Sequence, residues 1–100
     1  MMYPYMTLGD GTEIVHSQII TEEINKTDSD QSTIPVKKVI VHFERPTHDG
    51  FDSARCELPS YKWLFCEGFS DKEIEFFDKL LHANAHLLYK YAENGGIKIA

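Results

Sequence analysis

The sequence predicts an α+β domain in which an antiparallel sheet of about four or five strands is covered by one long C-terminal helix. Residues 39–58 contain two runs with apolar side chains at every second position, the period of a half-buried strand. Residues 70–93 carry an apolar stripe at the helical period, and Gly9-Asp10-Gly11 and Asn94-Gly95-Gly96 supply turn and stop signals. One domain spans residues 1–100: an N-terminal hairpin over 1–20, a mobile loop over 21–35, an antiparallel sheet over 36–66 and a helix over 70–94.

The hairpin is read from Tyr3 to Leu8 and Thr12 to Ile20, both rich in β-branched and aromatic residues, around Gly9-Asp10-Gly11. Pro4 cannot donate to a ladder, so the first strand belongs at a sheet edge. Thr21 to Pro35 is polar and acidic with few apolar side chains, the composition of a mobile connection.

Val36 to Arg45 is the clearest strand, with Val39, Val41 and Phe43 on one face and Ile40, His42 and Glu44 on the other. Phe51 to Leu58 follows, and the side chains choose the register. With Pro46 opposite Phe51, Arg45 meets Asp52, Phe43 meets Ala54, Val41 meets Cys56 and Val39 meets Leu58, giving one uniformly apolar face. A slip of one residue puts Glu44 against Asp52. The connecting loop is then Thr47 to Gly50. After Pro59-Ser60, Tyr61 to Cys66 alternates Tyr61, Trp63 and Phe65 against Lys62, Leu64 and Cys66, an aromatic row suited to an interface.

The helix begins at a capping box, Ser70-Asp71-Lys72-Glu73, and stops at Asn94-Gly95-Gly96. Ile74, Phe76, Phe77, Leu80, Leu81, Asn84, Ala85, Leu87, Leu88, Tyr91 and Ala92 form its stripe. The tail Ile97 to Ile99 either adds a short strand or packs.

The formal net charge of −6 is concentrated at one end: residues 1–35 hold six acidic side chains against the single Lys26, while the rest of the chain is nearly neutral. Lys and Arg are dispersed among acids, which argues against nucleic-acid binding. No run approaches the ~20 apolar residues of a membrane span, and the first residues lack the pattern of a signal peptide, so a cytoplasmic location with no membrane partner is expected. Cys56 and Cys66, ten residues apart with no C-x-x-C, read as reduced thiols. Removing the acidic N-terminal segment is expected to leave the core stable.

His82 and His86 lie one turn apart on the helix, with Asp78 one turn before, a spacing that can ligate zinc. Ala83 stands where zinc peptidases carry their general-base glutamate, so a catalytic version is disfavoured, and a solvated helix face is the competing reading. His42, Glu44 and Arg55, next to Ser53, cluster on the face opposite the core, where they can bind a small anion or form ordinary cross-strand pairs. Cys56 falls on the other face, out of reach of His42 for a thiolate pair. Asn84, inside the apolar stripe, needs partners for its amide, expected to be backbone at a sheet edge or in the chain near Gly68, with contact to a ligand as the competing reading. His16 and His48 join nothing recognisable. No cofactor is expected.

In the order of its elements and in the Gly-Phe-Ser join to an acidic helix, the segment from VIVHFERP to GFSDKEIEFFDKLLHANAHLLYKYAENGG, roughly residues 39 to 93, resembles small uncharacterised bacterial proteins encoded next to toxin–antitoxin cassettes. That resemblance implies a sheet-plus-helix domain working by protein association and carries over no catalytic residue. The sequence therefore favours a bacterial, non-enzymatic protein-interaction module that self-associates as a homodimer or binds a protein partner through Tyr61, Trp63 and Phe65. Two alternatives stay open: a ligand or weak enzymatic role on the His42, Glu44, Arg55 face, and a regulator of a mobile element or toxin–antitoxin-like system.

Overall fold

The computed structural model describes the backbone of residues 1–27 and 30–97 and the side chains of residues 1–24 and 33–97. Its elements are β1 (Met2–Thr7), β2 (Glu13–Ser17), β3 (Ile20–Thr27), β4 (Asp30–Thr47), β5 (Gly50–Leu58), β6 (Lys62–Glu67) and α1 (Asp71–Glu93). All strand pairs are antiparallel, in the order β1-β2-β4-β5-β6, with β3 also on β4. The fold is thus α+β, a six-stranded antiparallel sheet with one helix packed on it.

The predicted β4/β5 register is observed at every expected pair, from Val39 opposite Leu58 to Pro46 opposite Phe51. Thr47 also pairs with Gly50, so the reversal is tighter than the four-residue loop expected and turns on His48 and Asp49 alone. Gly50 sits at φ +150°, a backbone state that favours glycine. At the N-terminal reversal, Gly11 N–H donates to Leu8 O and Leu8 N–H to Thr12 O, with Gly11 at φ +90°.

Residues 21–27 and 30–35 correct the mobile-loop expectation, because they are strand. β2 and β3 pair in succession with the same side of β4, offset by one position, and Ser17 Oγ accepts from Ile40 N–H at the break. Beyond Lys38, β3 and β4 run on as a two-stranded ribbon. Low apolar content suggested disorder, but the pairing is cross-strand: Ile24 faces Ile34, Glu22 reaches Lys38 at 2.7 Å, and Thr33 donates to Glu23. The centre of the predicted loop, residues 28–29, and the tail expected at 98–99 lie outside the described residues.

The helix covers one face of the sheet. Phe77 stacks on Phe43 with centroids 4.3 Å apart and meets Phe69 edge-on at 5.0 Å, while Leu81, Leu88 and Ala92 complete the contact with Val39, Val41, Ala54, Cys56 and Leu58. The capping box is present in full, Ser70 and Glu73 exchanging side-chain to backbone bonds. Phe76, expected in the buried stripe, is exposed at its margin. The N-terminal hairpin is not a dispensable appendage, since Ile14, Thr12 and His16 of its second half are buried.

Candidate functional site

The helix-free face is built by the side chains that alternation turns away from α1. Strand pairing lines up Val15, His42, Arg55 and Phe65 across it, and beside them Glu13, Glu44, Ser53 and Glu67. His42, Glu44 and Arg55 are therefore neighbours, as expected. His42 Nδ1 lies 4.0 Å from Glu44 Oε1, and the Arg55 guanidinium sits 5.7 Å from the Phe65 ring centroid. Burial, and then the nearby Arg55 charge, push the His42 pKa down, while Glu44 pulls it up. The set offers a neutral imidazole beside a guanidinium, which can hold a small anion against a flat surface.

The predicted aromatic row does not survive as a row. Arg55 faces Phe65 and Cys56 faces Trp63, so Leu64 is an extra residue, a β-bulge. That insertion reverses the alternation. Tyr61 and Trp63 stay half-buried on the helix side, Trp63 5.6 Å from Phe43 and Tyr61 tilted against His82 with ring centroids 3.8 Å apart, whereas Phe65 turns to the helix-free face. Tyr61 also precedes the strand, at φ +58°. What stands free at this margin is Leu64 and Phe65, 47% and 42% exposed.

Asp78, His82 and His86 do not converge. Asp78 Oδ2 is 3.5 Å from His82 Nε2, but His86 is a further turn along. Eight helical residues span ~12 Å, too far for first and last to share one ion. Among the described residues no group of three or more His, Cys, Asp or Glu is disposed to hold a metal. Both cysteines are free: Cys56 is buried, its thiol pushed up to about 12 by burial first and then by Asp78 and Glu57, and Cys66 is exposed.

Two positions carry more of the architecture than their sequence context suggested. Arg45 donates through Nε and Nη2 to Asp52 Oδ2 at 3.0 and 2.8 Å, through Nη1 to Asp10 at 3.2 Å and to Glu73, and lies 4.8 Å from the Phe69 ring centroid. It joins β4, β5, the β1–β2 turn and the helix start. The register already pairs Arg45 with Asp52, and the capping box marks Glu73, but no local pattern brings Asp10 to them. Beside this cluster a cleft of about 390 Å³ lies between Leu8, Gly9 and Asp10 and the helix residues Lys72, Glu73 and Phe76. His16 is fully buried between the rings of Tyr3 and Tyr5; its Nδ1 is 2.8 Å from Ser17 O and so carries the proton, while Nε2 has no partner among the described residues. Alternation with buried Ile14 was its only sequence signal.

Asn84 resolves as a tie between layers. Tyr5 Oη donates to Asn84 Oδ1 at 2.6 Å, and Asn84 Nδ2 donates to Leu80 O at 2.8 Å. Its backbone partner is the helix's own carbonyl, and the long-range partner is the Tyr5 side chain of the edge strand β1, in place of sheet-edge backbone or the chain near Gly68.

Among the described residues no helix is long and apolar enough to cross a membrane. No protein-family model matches this chain, and comparison with curated proteins and with solved structures finds no match.

Proposed function

We propose that this chain is a non-enzymatic protein-interaction module that works by strand addition at the open edge of β6. The observation that carries the reading is the character of this edge. β6 lies at the sheet margin, and among the described residues no strand pairs with its outer side. An unpaired edge is a template for another extended segment. Leu64 and Phe65 stand exposed on it. The other edges are guarded: β1 holds Pro4 and a register shift beside it, β3 presents Glu22 and Glu23, and the ribbon part of β4, which β5 does not reach, carries Pro35 and Lys37.

A peptide of residues 61–68, with Cys66 replaced by serine, tests the reading. Added to the labelled protein, it is expected to move amide resonances of β6 and β5 and to slow exchange of the β6 amides. A second reading rests on the contact between His42, Glu44 and Arg55, which suits a small anion. If the peptide leaves β6 untouched while inorganic phosphate shifts the His42 ring signals, strand addition gives way to ligand binding.

A further inference from the structure

We propose that the occupant of the β6 edge is a second copy of this chain, paired antiparallel about a two-fold axis that passes between Leu64 and Phe65 and runs perpendicular to the sheet. The inference rests on the reading of β6 as an interaction edge and names its partner.

The argument starts from the bulge. In a regular strand, side chains alternate, so a two-fold between adjacent residues sets each residue opposite one from the other face, and such a register is forbidden. The β6 strand escapes this because Leu64 is inserted. Lys62 faces Glu57, Phe65 faces Arg55 and Glu67 faces Ser53, all on the helix-free side; Trp63 faces Cys56 and Cys66 faces Ala54, on the helix side. With the inserted, exposed Leu64 taken to oppose Arg55 together with Phe65, the two residues of the bulge share the helix-free side. From Lys62 to Glu67 the faces therefore read helix-free, helix, helix-free, helix-free, helix, helix-free, the same in either direction.

Self-pairing in this register keeps every side chain on its own face. Leu64 of each copy meets Phe65 of the other, an apolar quartet at the axis. Trp63 meets Cys66 of the second copy. At the ends, Lys62 meets Glu67 of the second copy, and symmetry makes that ion pair twice. The charges are complementary only in this antiparallel sense, since a parallel neighbour sets lysine on lysine. Among the described residues neither Lys62 nor Glu67 has an ion-pair partner within the chain. Both copies then carry their helices on the same side of one continuous sheet. A shared strand of six residues, ~20 Å long, makes a small interface, so the association is concentration-dependent and of the transient class.

Light scattering and sedimentation velocity from about 10 µM to about 1 mM test the proposal. The wild type is expected to pass from the 11.5 kDa monomer to a dimer. Lys62→Glu and Glu67→Lys, both at exposed positions, are each expected to weaken the dimer by about tenfold, because two attractive contacts become two repulsive ones. The double variant Lys62→Glu/Glu67→Lys is expected to restore it. In a mixed sample of labelled and unlabelled chains, an intermolecular Overhauser effect between Leu64 methyls and the Phe65 ring reports the register without any substitution. A wild type that stays monomeric, a dimer indifferent to the single variants, or a double variant as weak as either single one overturns the inference. If the chain stays monomeric while the 61–68 peptide still binds β6, strand addition stands and only the dimer of folded chains falls; if neither occurs, both fall.

Discussion

Replacing Arg45 by methionine keeps the stem that covers Phe69 but removes the charge that gathers Asp10, Asp52 and Glu73. The Arg45 and Asp52 side chains are 22% and 20% exposed, and two donors converge on one carboxylate oxygen. Hydrogen bonds to charged groups at such depth contribute about 1.5–3 kcal/mol. Glu73 is more exposed, and solvent screening holds its share to about 0.5–1 kcal/mol. Arg45→Met is therefore expected to cost about 2–4 kcal/mol at neutral pH. For a domain of this size that lowers Tm by about 10–25 °C.

The pH dependence adds a sign. The Arg45 guanidinium, and then the Ser70 N–H, hold the Glu73 carboxyl below its ordinary range; at Asp10 the bonds from Thr12 come first and Arg45 second. A carboxyl whose pKa is lowered by folding contributes stability that is present above its unfolded value near 4 and lost as pH falls through the folded value. The difference between wild type and Arg45→Met should accordingly shrink in the acid range, because protonated carboxyls gain little from arginine. Urea unfolding followed by the helix signal at about pH 7 and about pH 3 measures it. A cost under about 0.5 kcal/mol at neutral pH, or one that does not fall in acid, would refute the reasoning.

Gly68→Ala is expected to destabilise by about 2 kcal/mol, since φ is +91° and a Cβ there would collide with Asp52, which Arg45 holds in place; thermal melts check it, and the effect should be non-additive with Arg45→Met. Asn84→Leu leaves the half-buried Tyr5 hydroxyl without its acceptor and is expected to cost about 1 kcal/mol, most of it recovered when Tyr5→Phe is added. Iodoacetamide on the native protein is expected to modify Cys66 and spare Cys56 until unfolding, as read by peptide mass; equal labelling of both would contradict the packing of β5 under the helix.

Local sequence was sufficient wherever neighbours along the chain, or one hairpin, decide the outcome. Ser70 and Glu73 cap the helix by reaching over a single turn, and the β4/β5 register follows from matching two short rows of side chains. The grouping of His42, Glu44 and Arg55 was legible for the same reason. The ribbon was not, because its polar strands are held by pairs such as Ile24 with Ile34 and Glu22 with Lys38, which composition averages away. Nor was the Leu64 bulge, since one inserted residue is invisible to a period-of-two count until β5 supplies the opposing strand. Tertiary packing alone joined Asp10 to Arg45 and Tyr5 to Asn84, partners 35 and 79 residues apart. The sequence by itself thus determined the α+β class, the helix and the central register; the placement of β6 in the sheet decided which aromatics stayed inside and which edge was left open, because facing is set by the neighbour a strand finds.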